Sequence, residues 1–285
     1  MRLAISMWSY FRAWKQDRID LTGFVIEAKQ VGAEGVELLD FFYKDRAEDR
    51  QLLKSILNNE GFPCPIFSVS PNFAKADAAE RIAEMDTILR GLEDAVELGA
   101  STLRVFAGNP ADGVSYDSAL GWIVDNLSEA SRRADSAGVT LSLENHGKLA
   151  GRSSQVSEII EAVRKNSGNN ALGANPDTAN FMLVGEDSAS AVAAVAKYAY
   201  MCHLKDFKLA EPGWEGFAYE GAEGKKYVGT ALGEGDVDLP ACLQALQAQG
   251  YQGWLSLEYE GEEDPMTAVP RSIQFARSLL GSTVS

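Results

Sequence analysis

Leu141-Ser142-Leu143-Glu144 and Leu255-Ser256-Leu257-Glu258 are one four-residue phrase, written twice in a chain of 285 residues. The first copy runs on into Asn145-His146-Gly147 and the second into Tyr259-Glu260-Gly261. Apolar and polar positions alternate. Each copy therefore reads as a short strand with Leu-Leu on one face and Ser then Glu on the other. An ionised carboxylate at the end of a buried strand is costly unless it has a partner. Two such carboxylates on two similar strands point to one shared partner, and a divalent metal ion is the partner expected.

Working outward, stretches 3–8, 35–39, 65–69, 102–106, 139–144, 171–175, 198–205 and 253–258 read as strands. A helical stretch follows each, often closed by a glycine such as Gly61, Gly99 or Gly138. Strict alternation of strand and helix implies parallel strands joined by helical crossovers. Eight such units in a chain of this length predict a single (β/α)8 TIM barrel, an α/β fold. An open doubly wound sheet is the alternative, but no GxGxxG turn follows the first strand. No linker divides the chain, so residues 1–285 read as one domain. The stretch 207–238 is a long, Gly-rich connection carrying Trp214, Phe217, Tyr219 and Tyr227. It reads as a lid, an oligomer contact or a disordered loop.

Composition excludes several partners. A net charge of -15 leaves no basic footprint for nucleic acid and disfavours an anionic membrane. No apolar run approaches the ~20 residues that span a bilayer. Residues 1–10 lack the pattern of a signal peptide, so a cytoplasmic protein is expected. Cys64, Cys202 and Cys242 are widely spaced with no CxxC pair, the pattern of reduced thiols. A homo-oligomer is the general expectation.

Barrel enzymes keep their working residues at the C-terminal ends of the strands. Glu37, Arg104, Glu144, Asp177, His203 with Lys205, and Glu258 all fall there. Singly, each has an ordinary structural reading: a core histidine, a surface ion pair, a cap after Pro176. Together, Glu144, Asp177, His203 and Glu258 sit on four successive strands whose tips converge. Three carboxylates and one imidazole make a hard, oxygen-rich ligand set for one divalent ion. It suits Mn2+ first, with Mg2+, Co2+ or Zn2+ as alternatives.

Five motifs carry a family resemblance. They are Leu-Glu-Asn-His-Gly at 143–147, Asn-Pro-Asp at 175–177, His-Leu-Lys-Asp at 203–206, Leu-Gly-Glu-Gly at 232–235 and Leu-Glu-Tyr-Glu-Gly at 257–261. With them the chain resembles the xylose isomerase-like TIM-barrel superfamily of sugar isomerases and epimerases, which includes the endonuclease IV type of DNA-repair enzyme. The resemblance implies that Glu144, Asp177, His203 and Glu258 are metal ligands. It also implies that Glu144 and Glu258 are the acid/base pair. Two departures stand out. Ketose epimerases of the family have Asp-x-x-His where this chain has Asp177-Thr178-Ala179-Asn180, and Asn180 can bind a sugar hydroxyl but cannot titrate. Classical xylose isomerases have a Lys where this chain has His146.

The implied reaction is proton abstraction next to a carbonyl through a metal-stabilised enediolate. Return of the proton on the opposite face gives epimerisation, and return to the neighbouring carbon gives isomerisation. The alternative is a metal-dependent lyase or dehydratase acting on a keto-sugar, inosose or 3-keto-glycoside, with His146 as general acid. A remote alternative is DNA repair, which two histidines and an acidic chain disfavour. A non-catalytic sugar-binding barrel is the fourth reading. His146 is a candidate base or substrate contact, or else a partner that orients a ligand. Lys205 is read as binding a substrate oxygen or stabilising an enolate, or as a salt bridge to Asp206 or Glu234. Glu37 is read as touching a sugar hydroxyl or pairing with Arg104. Trp8 and Phe106 are read as an apolar wall for a sugar ring, or as core packing.

Overall fold

A computed structural model describes residues 1–109 and 113–282. Seven parallel strands come first: β1 (Arg2–Ser6), β2 (Gly35–Leu39), β3 (Ile66–Ser68), β4 (Thr102–Val105), β5 (Thr140–Glu144), β6 (Leu172–Asn175) and β7 (Met201–Leu204). Three strands of a separate antiparallel sheet follow: β8 (Asp206–Leu209), β9 (Tyr219–Glu220) and β10 (Lys226–Thr230). The eighth barrel strand is β11 (Trp254–Leu257). Barrel strands run in the order β6-β5-β4-β3-β2-β1-β11-β7. Between β6 and β7 the wall is joined by two isolated parallel bridges, Ala174 to Ala199 and Asp177 to His203. The nearly closed (β/α)8 barrel is the fold expected from the alternation of elements.

Helix ends obey local chemistry. Asp20, Asp45, Asp77, Ser115, Asp187 and Asp238 each accept a backbone N–H at a helix start. Gly61, Gly99, Gly138 and Gly168 end helices in the left-handed conformation that glycine adopts without strain. Along β5, Leu141 and Leu143 join the layer between barrel and helices, while Ser142 and Glu144 share the inner face. The interior is small and polar. Paired neighbours include Ser6 with Glu37, Ser68 with Arg104, Arg104 with Ser142, and Ser256 with His203. Among the described residues all three cysteines are free and buried.

Two local expectations are corrected. The first strand ends two residues early, because Met7–Tyr10 coils into a 3-10 helix that carries Trp8 out of the sheet. Of the readings offered for the stretch 207–238, the disordered loop is corrected, because the stretch forms a small antiparallel sheet. β10 pairs with both β8 and β9, and buried Phe207 stacks on Tyr219 at 5.0 Å. Asp206 pins the returning chain by accepting N–H bonds from Gly233, Gly235 and Val237 at 2.8–3.2 Å.

One of the insert's seats on the barrel is a glycine, Gly229, bridged to Gly261. A Cβ added at Gly229 would lie 2.5 Å from the carbonyl carbon and oxygen of Glu260, and backbone cannot give way as a side chain can. Gly229→Ala is therefore expected to lower stability by about 1–3 kcal/mol, the usual cost of overpacking, measured by urea unfolding. An unchanged midpoint would mean that the insert is not seated on residues 260–261.

Candidate metal centre

Alternation along β7 buries Cys202 and Leu204 on the outer face and turns His203 and Lys205 inward. The imidazole is held from below by Glu37, a carboxylate with no exposed surface. Ser68 Oγ and Ser256 Oγ each donate to Glu37 at 2.6 Å, and His203 Nε2 lies 2.9 Å from its Oε2. A carboxylate accepts only, so Nε2 carries a proton and Nδ1 is the ring nitrogen left to face a ligand. Burial disfavours the charged ring, but Glu37, Glu258 and Glu144 outweigh it and hold its pKa well above the usual histidine value, so without a cation Nδ1 is protonated as well.

Nδ1 faces the acidic strand tips. Nδ1 lies 3.3 Å from Glu144 Oε2, 3.7 Å from Glu258 Oε2 and 3.8 Å from Asp177 Oδ2. It is buried and makes no hydrogen bond, while Asp177 Oδ2, also buried, has only the Lys205 ammonium beside it at 3.0 Å. The other oxygen of Asp177 does cap the next segment, accepting from the N–H groups of Ala179 and Asn180 at 2.9 Å. One ligand atom from each of Glu144, Asp177, His203 and Glu258 lies within 4.8 Å of the others. Ligands at about 2.0–2.6 Å from a shared ion are separated by such distances. Three converging carboxylates and an inward ring nitrogen with no hydrogen-bond partner make a hard donor set that fits a divalent cation.

The charge balance agrees. Glu37, Glu144, Asp177 and Glu258 are all buried, and Arg104 and Lys205 are the permanent cations among them. Arg104 Nε sits 3.3 Å from Glu144 Oε2, so Glu144 rather than Glu37 is its ion-pair partner. Lys205 Nζ lies 2.7 Å from Glu258, 3.0 Å from Asp177 and 3.2 Å from Glu260. The expected alternative partners of Lys205 are occupied elsewhere: Asp206 holds the insert, and Glu234 pairs with Arg271. Burial pushes the Glu144 carboxyl up, but the charges of His203 and Arg104 outweigh it and hold the group below the usual range. For Glu258 burial wins against Lys205 and His203, and the carboxyl is pushed up to about 7. Burial also lowers His146, against the pull of Glu144.

The remaining expected contacts divide. Trp8, Phe106, Lys205 and His146 line a cavity of about 260 Å³ that opens above Glu144 and Glu258. Phe106 stacks on His146 at 4.3 Å, and the Arg104 guanidinium lies 4.2 Å over the Phe106 ring. Glu37 and Asn180 are corrected, because both turn toward protein. Glu37 lies beneath His203. Asn180 donates its amide to Glu144 Oε1 and to the Asn145 carbonyl at 3.2 and 3.1 Å. Residues not singled out in the sequence complete the support. Asn175 donates to Glu144 Oε2 at 3.2 Å, and Asn145 clasps the backbone of Asp177 in both directions. Glu260 accepts from Trp8 Nε1 at 2.7 Å and from Lys205. The signal for Glu260 was present, since it stands two residues past Glu258 on the same parity.

Comparison with known proteins agrees with this architecture. The family model described as Xylose isomerase-like TIM barrel matches residues 25–279. No curated protein sequence matches. Similar solved structures include a D-tagatose 3-epimerase-like protein, at 18% identity and TM-score 0.77, with all of both chains covered. The 3-keto-D-glucoside 4-epimerase of E. coli is similar at 17% identity and TM-score 0.73, covering 98% of this chain and 99% of that one. The IOLI protein, whose structure holds a zinc atom, is similar at 17% identity and TM-score 0.73, covering 100% and 98%. Among the described residues no helix is long and apolar enough to cross a membrane.

Proposed function

The chain belongs to the xylose isomerase-like TIM-barrel family, and from that premise we propose that it is a divalent-metal-dependent isomerase or epimerase of a sugar or keto-sugar. One observation carries the reading. Glu144 and Glu258 flank the orphaned Nδ1 of His203, and both open into the same cavity. Glu144, Asp177, His203 and Glu258 would hold the ion, with Mn2+ favoured and Zn2+ supported by the zinc in one structural relative. A cation there would supply Lewis-acid stabilisation of the negative charge that develops on the substrate's carbonyl oxygen.

The protein's own groups then handle the proton. One of the two carboxylates takes it from the carbon next to the carbonyl, and the other returns it from the opposite side. Asn175, Asn180 and Arg104 fix the orientation of Glu144. Lys205 fixes that of Glu258 and presents an ammonium to the cavity floor. Trp8 and Phe106 shape the cavity around a sugar ring. The test is solvent deuterium incorporation by the metal-loaded protein into tagatose, psicose, ribulose, 3-keto-glucose and methyl 3-keto-glucoside. Exchange at the carbon next to the carbonyl supports the reading. Its absence from every compound, with metal bound, discards it in favour of binding alone.

A lyase is the second reading, favoured by the place of His146. Its ring lines the cavity and is held by stacking on Phe106. In an isomerase, His146→Ala keeps exchange within about tenfold of the parent, short of the ~10²–10⁴-fold cost of removing a general acid or base. Lost elimination with retained exchange would instead identify a lyase. Product analysis by NMR reads both.

A further inference from the structure

Lys205 stands where the metal centre meets the cavity above it. Its backbone is fixed, since Thr178 Oγ1 donates to the Lys205 carbonyl at 2.7 Å and accepts its N–H at 2.9 Å. Its ammonium lies 2.7 Å from Glu258 Oε2, 3.0 Å from Asp177 Oδ2 and 3.2 Å from Glu260 Oε2. The first two are the oxygens that face His203 Nδ1, at 3.7 and 3.8 Å. The third is not. Glu260 stands outside the group of four ligands, and its Oε1 accepts from Trp8 Nε1 at 2.7 Å.

The ammonium and a metal ion therefore want the same two oxygens. An ammonium has three N–H donors, and here three carboxylates surround it. Among the described residues, Asp177 and Glu258 form ion pairs with His203 and Lys205 alone, because Arg104 sits on Glu144. Lys205 thus keeps these buried carboxylates from facing each other bare. A divalent ion on the same ligands would draw their charge to itself and repel the ammonium beside them. The Lys205 side chain is only 3% exposed, and a buried charge left unpaired is costly. Glu260 is the carboxylate still in contact with it.

We propose that the Lys205 ammonium is a built-in competitor of the metal ion, and that Glu260 is a positioning residue that takes over the charge of Lys205 when the ion binds. The proposal rests on the metal centre argued above and adds to it a residue that sets metal affinity without touching the metal. The ammonium stays at the cavity floor, as the functional reading requires. Its charge is answered by Glu260, while Asp177 and Glu258 turn theirs to the ion. No backbone shift is needed, because all three carboxylates already touch the same nitrogen. Trp8 has a part in this as well, since its indole N–H holds Glu260 in place.

The test is calorimetric titration with Mn2+ and, separately, with Zn2+ of the parent, Glu260→Gln, Lys205→Met and the double variant. Glu260→Gln is expected to bind about tenfold more weakly, at the lower end of the ~10–100-fold range for residues that act on a metal site from outside its ligands. Lys205→Met is expected to bind at least about fivefold more tightly, because a competing positive charge is gone. The double variant is expected to match Lys205→Met within about twofold, since Glu260 then has no ammonium to hold. A Lys205 that merely orients the ligands predicts the opposite sign for Lys205→Met, and that result overturns the proposal. So does a Glu260→Gln loss that persists in the double variant. Crystals of the parent grown with and without Zn2+ decide the matter without any substitution, should Lys205→Met fail to fold. With zinc, the contact of Nζ with Asp177 Oδ2 is expected to open beyond the ~3.2 Å of a hydrogen bond while that with Glu260 is kept. An unchanged contact with Asp177 overturns the proposal. A parent that binds neither ion sinks the metal centre itself, whereas wrong signs in the variants of a parent that does bind sink only the role of Glu260 and Lys205.

Discussion

Glu144→Gln is expected to strip the protein of its metal and to slow proton exchange by at least ~10³-fold. That figure lies within the ~10²–10⁴-fold cost of removing a general acid or base, to which the loss of a ligand adds. The substitution keeps the shape and removes the charge. Its consequences reach every neighbour. In the native site Glu144 accepts from Asn175 and Asn180 and faces Arg104 and the Nδ1 of His203. A glutamine must point its NH2 at one of these. Asn175, Asn180 and Arg104 all present donors, so donor meets donor and the side chain is turned from its place. Arg104 then loses its buried counter-charge, which is costly in its own right. Metal content after equilibration with Mn2+ and Zn2+, measured by mass spectrometry, separates the two effects from each other. A variant with full metal occupancy and near-parental exchange would remove Glu144 from the centre of the chemistry.

The position of Glu144 was legible because strand parity and strand end are local properties. Leu-Ser-Leu-Glu says which side chains share a face, and the barrel then says that the shared face is the inside. His203 and Glu258 follow by the same parity, and Asp177 by its place after Pro176 at the end of β6. What parity cannot supply is the partner across the barrel. Glu37 meets Ser68 and Ser256, 31 and 219 residues away in the chain, and each strand taken singly offers several inward polar groups. Asn180 illustrates the same limit. The sequence places it three residues past Asp177, where a sugar contact is reasonable, but the turn after Asp177 aims its amide back at Glu144. The insert was missed for another reason. Asp206–Leu209 and Lys226–Thr230 do alternate, yet the glycines between them masked a small sheet whose cohesion comes from Asp206 and from burial of Phe207.

Glu37→Gln tests the support from beneath. The expected result is a loss of metal affinity of about 10–100-fold, the range typical for the outer partners of a ligating histidine, with smaller damage to the metal-free fold. The reason is a tautomer. Glu37 accepts from Ser68, Ser256 and His203 together. Glutamine keeps one acceptor oxygen and gains an NH2. If the oxygen faces the imidazole, one serine loses its acceptor. If the NH2 faces it, Nε2 must accept, and the ring proton moves to Nδ1. There it finds Glu144 Oε2 at 3.3 Å and is held by a buried carboxylate. The ring's one proton then sits on Nδ1, and the lone pair that a cation would use is lost. Glu37→Ala removes both choices and leaves a hole beneath the ring, so it is expected to unfold more readily than Glu37→Gln. Titration with Mn2+ followed by calorimetry, beside urea unfolding without metal, reads the two quantities apart. Parental affinity in Glu37→Gln would show that the proton on Nε2 does not decide whether Nδ1 can bind a cation, and His203 would need another place in the site.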